Sequence, residues 1–234
     1  MNRQIFIYFC FKCYIMKKTY SEENYLKAIY HISKQEQKVS PKAIADALDN
    51  NPASVIDMLK KLQDKALISY DKVAGAILTA SGEAAALDII RKHRLWEVFL
   101  VEKLQYEWDE VHDIAEQLEH IHDDRLAKKL DDFLGNPSVD PHGDPIPAPN
   151  GKMPVYATIR LSEIERGDLC KVGSVRDTST PFLKYLKQLQ VGLGSKIEVV
   201  EKMEFDQSMV IKIDDAEAKT VSSKMTDNIM VVLQ

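Results

Sequence analysis

Six of the nine prolines in this 234-residue chain fall in one segment, residues 135–154. Proline lacks a backbone donor and breaks helices, so the segment predicts a linker or an extended, poorly helical stretch. Before it, apolar residues recur with helical spacing, whereas short apolar runs after it predict strands with one short helix. The segment therefore divides a mainly helical part from a small β-barrel domain of about 80 residues.

The first 83 residues predict helix, helix, turn, helix and hairpin. Ser40 is a plausible N-cap with Pro41 at the first helical position, the break "DNNP" precedes a third helix, and Gly75 is expected in the hairpin turn. That order is typical of a winged helix-turn-helix, although any small α/β domain could also show it. The predicted domains are a winged helix at 16–83, a helical domain with its Pro-rich linker at 84–150, and the β-rich domain at 151–234.

Composition sets further bounds. The net charge is −5, but residues 1–83 carry 12 Lys/Arg against 9 Asp/Glu, a balance of +3. A mildly basic N-terminal part is compatible with DNA binding there. Three cysteines do not make a disulfide framework and favour a reducing cytoplasm. The apolar opening is too short to span a bilayer, so we expect an extension outside the fold at 1–15 and no membrane association.

In a winged helix, the helix after the turn enters the major groove. Short polar side chains at its start would read bases, and nearby lysines would contact phosphates. The predicted DNA-binding residues are Asn50, Asn51, Ser54, Asp57, Lys60, Lys61 and Lys72.

The stretch "VHDIAEQLEHIHDD", residues 111–124, is rich in potential metal donors. On a helix, His112, Glu116, Glu119 and His120 would share one face, nearly opposite the apolar stripe. Taken alone, this helix is explained better by a solvated polar face than by a metal.

The preceding helix weakens that explanation, because His93 and Glu97 form a second imidazole–carboxylate pair at i, i+4. If the two helices pack together, six donors converge, and carboxylates that close need a cation or protons between them. Such donors suit Mn²⁺ or Fe²⁺, and Zn²⁺ or Co²⁺ could substitute. A di-iron carboxylate enzyme would be expected to carry two Glu-x-x-His motifs, and only one is present, from 119 to 122. No nucleophile set or Gly-rich phosphate loop indicates a small-molecule substrate.

Several motifs occur together in one order: "ENYLKAIY", "LTASGE", "RKHRLWEVFL", "VHDIAEQLEHI" and "DPHGDPIP". In this the chain resembles the diphtheria toxin repressor family of metal-dependent transcriptional regulators, over about residues 17–150. The resemblance implies a mainly α fold with a winged helix, a helical dimerisation domain and an SH3-like (FeoA-type) barrel. It also implies a homodimer that binds a palindromic operator when loaded with metal and represses metal-uptake genes.

The resemblance also implies two metal sites per subunit. His93, Glu97 and His112 match the ancillary site, and Glu116, Glu119 and His120 match the primary site. The first-helix ligand position is Asn24, where the family usually has Asp or Met, and Lys27 stands where manganese-type members often add a Glu. Glu116 rather than Cys indicates manganese over iron. Asp177 is the candidate ligand from the barrel domain.

Three functions are therefore weighed: a metal-dependent repressor, a winged-helix regulator that does not respond to metal, and a di-metal enzyme. The resemblance favours the first. Operator binding with and without metal separates it from the second, and O₂ consumption without DNA affinity would identify the third.

Overall fold

The computed structural model describes residues 18–233, so the predicted extension at 1–15 lies outside the described residues. No helix in the described range combines the length and apolarity that a membrane span needs. The elements are α1 (Tyr20–Gln35), α2 (Pro41–Leu48), α3 (Pro52–Asp64), β1 (Ile68–Asp71), β2 (Gly75–Leu78), α4 (Ala80–Leu104), α5 (His112–Leu118), α6 (Asp124–Phe133), β3 (Ile159–Arg160), β4 (Leu169–Val175), α7 (Thr180–Leu189), β5 (Lys196–Lys202), β6 (Met209–Ile213), β7 (Lys219–Val221), α8 (Ser223–Asp227) and β8 (Ile229–Leu233).

The winged helix is confirmed in α1 to α3 and the β1–β2 hairpin. The Ser40 side chain caps α2 by accepting from the Ala43 N–H at 3.0 Å, and Pro41 opens that helix. The hairpin turn lies at 72–74, and Gly75 begins β2 instead of lying in the turn. At Gly75 a Cβ would lie 2.5 Å from the Val39 carbonyl oxygen, so close packing against that carbonyl requires glycine.

The helical domain is built on α4, which packs against α1, α5 and α6. The expectation of one helical face from His112 to His120 was wrong, because α5 ends at Leu118. Glu119 and His120 lie in the turn that follows, with the Ile121 N–H bonded back to the Leu118 carbonyl. Lys27 of α1 and His93 of α4 bind the Glu119 side chain, and Glu23 of α1 binds His120. These contacts between elements fix the positions of both side chains.

The proline-rich segment is non-helical, as predicted, but it is packed against the protein. Ile146 is buried against α4 side chains, and Asp140 and His142 are buried too. Arg91 and Arg94 of α4 donate to the carbonyls of Pro147 and Pro145. These charged donors satisfy backbone oxygens that have no strand partner, so an irregular segment can be buried here.

The C-terminal domain is a six-stranded antiparallel sheet in the order β3-β8-β4-β5-β6-β7. Register shifts between Val172 and Ser174 in β4, and between Val199 and Glu201 in β5, mark bulges that bend a sheet. The bent sheet and α7 enclose one apolar core, which matches the predicted SH3-like barrel. Sequence reasoning foresaw α7 but missed the short helix α8.

The loop around His142 joins the helical domain to the barrel. The Val175 N–H donates to the His142 carbonyl at 2.9 Å, and the His142 ring stacks on Trp108. Gly143 has φ +86°, and a Cβ there would lie 2.1 Å from the Gly173 carbonyl oxygen of β4. The seating of this loop therefore depends on a glycine.

We expect Gly143→Ala to lower the free energy of unfolding by more than Gly135→Ala. Both glycines have positive φ, so each alanine costs about 1–2 kcal/mol of backbone strain. Only Gly143 also meets a neighbouring carbonyl, which adds about 1–3 kcal/mol. Urea denaturation measures the difference, and equal losses at the two positions would contradict the tight contact with β4.

Candidate metal centre

A cavity of about 500 Å³ lies where α1, α4, α5 and the proline-rich segment meet. From α4 it receives His93 and Glu97, which are four residues apart and share one helix face. The pair from α5, His112 and Glu116, has the same spacing. Since α4 and α5 pack together, the two pairs meet in the cavity.

Glu119 lies next to these donors, with none of its surface exposed. Its Oε1 and Oε2 accept from the Lys27 ammonium at 2.7 and 2.9 Å, and Oε2 also lies 2.6 Å from His93 Nδ1. Lys27 contacts Glu116 as well. A solvated helix face is thus ruled out for Glu119, although His112 is about half exposed.

Glu97 lies close to three imidazole rings. Its Oε1 lies 3.1 Å from His93 Nε2 and 3.6 Å from His112 Nδ1, and its Oε2 lies 3.8 Å from His142 Nδ1. Burial by itself would raise the pKa of Glu97, but bonding from these imidazoles holds it well below its usual range. Glu97 therefore remains an anion, as a metal ligand must.

His93 is shared between the two carboxylates, with Nδ1 toward Glu119 and Nε2 toward Glu97. Burial disfavours its charged form, yet the hydrogen bonds to Glu119 and Glu97 raise the pKa of His93 to about 9. At neutral pH this pKa keeps the ring protonated, so both nitrogens can donate, to Glu119 and to Glu97. A metal at either nitrogen must displace a proton.

Asp140 lies beside this group and pairs with Arg94, whose Nε is 3.4 Å from Asp140 Oδ2. Burial, together with the negative charges of Glu97 and Asp144, raises the pKa of Asp140 to about 7. Part of the carboxylate charge around Glu97 is therefore neutralised by a proton near neutral pH.

His120 has one ring nitrogen that is available to bind a metal. Its Nδ1 lies 2.7 Å from Glu23 Oε2, and since a carboxylate only accepts, Nδ1 carries the proton. The lone pair is then on Nε2, which is buried and makes no hydrogen bond within residues 18–233. Glu119 Oε1 is 3.4 Å away from it. Two acceptors that face each other across this distance are stabilised by a cation between them.

Asn24 on α1 has the matching feature, because its Oδ1 is also buried and has no hydrogen-bond partner in the described part of the chain. Buried oxygens normally have a partner, and an orphan is costly. An amide oxygen, an imidazole nitrogen and carboxylates are ligands that divalent Mn, Fe, Co and Zn accept. The residues present therefore fit the metal that the sequence predicts.

Comparison with known proteins supports the same conclusion. Residues 17–76 match the iron dependent repressor, N-terminal DNA binding domain, and residues 79–148 match the iron dependent repressor, metal binding and dimerisation domain. Residues 159–233 match the FeoA domain. A solved manganese-dependent transcriptional repressor in complex with manganese is 36% identical, with a TM-score of 0.82 and coverage of 91% of this chain and 100% of that chain.

The chain belongs to the iron-dependent repressor family. The structure of the manganese regulator SloR is 34% identical, with a TM-score of 0.73 and coverage of 91% of this chain and 98% of that chain. The iron-dependent repressor IdeR of Mycobacterium leprae is 26% identical over 223 residues, which are 90% of this chain and 87% of that protein. This repressor is therefore a metal-dependent DNA-binding transcription regulator and not an enzyme.

Among residues 18–233 the His and carboxylate donors of this repressor form three groups, and in each the ligand atoms lie within 4.8 Å of one another. They are His93/Glu97/His112, His93/Glu116/Glu119 and Glu97/Asp140/His142. The first is the set predicted for the ancillary site. The second joins two predicted primary ligands to His93, whereas His120 lies outside it and contacts Glu119 and Glu23. Asn24 follows Glu23 on α1.

Asp177 is in none of these groups. It is placed after β4, where its Oδ1 accepts from the Ser179 N–H at 2.9 Å. Its neighbours Arg176 and Thr178 line the cavity, so the backbone of Asp177 lies at the edge of that cavity. The role of Asp177 stays a prediction.

The predicted DNA-binding side chains lie on the exposed part of the winged helix. Asn51 is the N-cap of α3, and its Oδ1 accepts from the Ala53 N–H at 2.8 Å. Lys60 pairs with Asp57, and Lys61 pairs with Glu22 of α1 at 3.0 Å. All seven predicted residues are exposed: Asn50, Asn51, Ser54, Asp57, Lys60, Lys61 and Lys72.

Sequence reasoning did not single out Glu23, Asp140 or His142. Asp140 and His142 belong to the motif "DPHGDPIP", which was noted only for its family likeness. Glu23 resembles an ordinary first-turn acid that favours the helix dipole, and no local signal distinguishes it.

We expect Mn²⁺ affinity to rise with pH. The folded pKa of His93 is raised from 6.5 to about 9, so the stabilisation by its imidazolium is complete below pH 6.5 and is lost as the pH rises through 9. Mn²⁺ competes with that proton, so affinity should increase about tenfold per pH unit between pH 6.5 and 8.5.

Competition with a fluorescent chelator measures this slope. Asp140→Asn removes a second group whose pKa lies in this range and should keep most of the slope, whereas His93→Gln should lose it. A pH-independent affinity in the unmodified protein would contradict the assignment of His93 as a ligand.

We expect Glu23→Gln to weaken Mn²⁺ binding by roughly 10–100-fold, because the carboxylate that fixes the tautomer and orientation of His120 is lost. Isothermal titration calorimetry provides the comparison. Glu36→Gln, at the exposed C-cap of the same helix, is the matched control. Equal affinities for the two variants would show that Glu23 does not orient His120.

Proposed function

We propose that this repressor senses Mn²⁺, with Fe²⁺ as the alternative, and binds a palindromic operator as a homodimer to repress metal-uptake genes. The observation that carries the proposal is a pair of buried ligand atoms, Asn24 Oδ1 and His120 Nε2, that have no hydrogen-bond partner among the described residues. One belongs to the winged helix and the other to the helical domain. A metal bound by both ties the two domains together.

The link from metal to DNA runs through α1. Glu22, two residues before Asn24, is fully buried and accepts from Lys65 at 2.6 Å and from Lys61 at 3.0 Å. Both lysines belong to the end of the recognition helix α3 or its C-cap. A metal that fixes α1 therefore fixes α3, and in a dimer it sets the separation of the two recognition helices.

The donor chemistry favours manganese. The donors of the candidate centre are oxygens and imidazole nitrogens, which suit Mn²⁺ better than a thiolate would. Among the described residues the one cysteine, Cys170, is buried in the barrel, where burial raises the pKa of its thiol to about 11. Zn²⁺ and Co²⁺ accept the same donors. We propose two ions per subunit, one beside Asn24 and His120 and one between Glu97 and His112, with Asp177 as a candidate further ligand.

The homodimer requires an apolar surface outside the metal cavity. Phe133 at the end of α6 is 64% exposed and contacts Phe99 of α4. Leu126 on the same helix is exposed too. We propose these side chains as part of the dimer contact. We also propose that the repressor acts in the cytoplasm, where the genes are.

The test is operator binding measured by fluorescence anisotropy. A duplex is first enriched from a random-sequence pool, in parallel with Mn²⁺ and with a chelator. Mn²⁺ should then raise affinity about 5–150-fold, and Glu119→Ala/His120→Ala should remove the increase. Gln117→Ala, exposed on α5, is the control that keeps it.

Separate titrations with Mn²⁺, anaerobic Fe²⁺ and Zn²⁺ decide the metal. Equal activation by all three would refute the preference for manganese. Metal-independent binding by the unmodified protein and the double variant alike would support the regulator that does not respond to metal and would refute the proposal.

A further inference from the structure

The group His93/Glu116/Glu119 already contains a cation, the ammonium of Lys27. Its Nζ contacts both oxygens of Glu119, at 2.7 and 2.9 Å, and also contacts Glu116 Oε1. The Lys27 side chain is only 14% exposed. This ammonium is thus enclosed by the same carboxylates that would hold a divalent ion.

The charges explain why a cation is needed there. Glu119 is fully buried and Glu116 is partly buried, so two carboxylates face each other in a space with little solvent. A buried carboxylate without a cationic partner is strongly destabilising, and two of them repel. Lys27 satisfies both without any metal.

Lys27 is also well placed to act on the metal response. It lies one helical turn after Asn24 on α1, whereas its partners lie at and beyond the end of α5. The lysine therefore ties α1 to α5 at the point where the proposed metal ties them. Lys27 and a second divalent ion would be alternative occupants of one position.

We propose that the Lys27 ammonium occupies the His93/Glu116/Glu119 group and so excludes a divalent metal from it. Metal binding at the α1–α5 contact is then limited to the single ion beside Asn24 and His120. This inference deepens the proposed metal response and rests on it for the nature of the ion, but its test uses no DNA. Failure of operator binding would leave its result unaffected.

The test compares Mn²⁺ stoichiometry, by equilibrium dialysis and elemental analysis, in the full-length protein and three variants. Lys27→Gln removes the ammonium and offers an amide oxygen, so it should bind one more Mn²⁺ per subunit. Lys27→Arg retains a cation and should match the unmodified protein. Lys42→Gln, exposed on α2, controls for the loss of one positive charge in the winged helix. Unchanged stoichiometry in Lys27→Gln would overturn the proposal.

Thermal unfolding is a second measurement, which tests the proposal even if Lys27→Gln is less stable than the unmodified protein. In chelator, Lys27→Gln should have a lower Tm than the unmodified protein, and Mn²⁺ should raise its Tm by more. If the variant is unfolded in chelator, far-UV circular dichroism should show Mn²⁺ restoring the fold. An equal Mn²⁺-induced shift in both proteins, or failure of Mn²⁺ to restore an unfolded variant, would overturn the proposal.

Discussion

The burial of the Glu119 carboxylate is the constraint on which the rest of this structure depends. It lies beyond the end of α5 with no exposed surface, and its oxygens are bonded to Lys27 of α1 and His93 of α4. A buried charge is tolerated only with good partners, so three elements must meet at one point. The winged helix is thereby joined to the helical domain through charge pairing as well as through apolar packing.

His93 extends that constraint to the second carboxylate, since its ring spans Glu119 and Glu97. The two proposed metal sites share His93 in this structure, because its ring contacts a carboxylate of each. A proton on His93 serves both carboxylates, and an ion at either side removes that proton. The two proposed metal positions would therefore be coupled through one imidazole. Glu97 also contacts His142, whose carbonyl accepts from the Val175 N–H of the barrel.

Much of the local structure could be predicted. Ser40 with Pro41 marks the start of α2, and the proline-rich segment ends the helical part, because capping and proline chemistry are local. The end of α5 could not be predicted from periodicity, since the polar pattern continues through His120 while the helix stops at Leu118. Nor could the burial of the proline-rich segment, which depends on Arg91 and Arg94 from a distant part of the chain.

By itself, the sequence determined the kind of protein: the winged helix, the helical domain, the small β domain and the donors His93, Glu97, Glu116, Glu119 and His120. The elements follow from spacing and residue chemistry, which are properties of the chain, whereas the kind of protein and its candidate donors were implied by the family resemblance. Only the tertiary structure decided which partner each donor has. It paired Glu23 with His120, left Asn24 Oδ1 without a partner among the described residues, and placed the Lys27 ammonium between two carboxylates. The physical reason is that burial and charge pairing join residues about 90 positions apart, and no local pattern records which partner a buried charge will find.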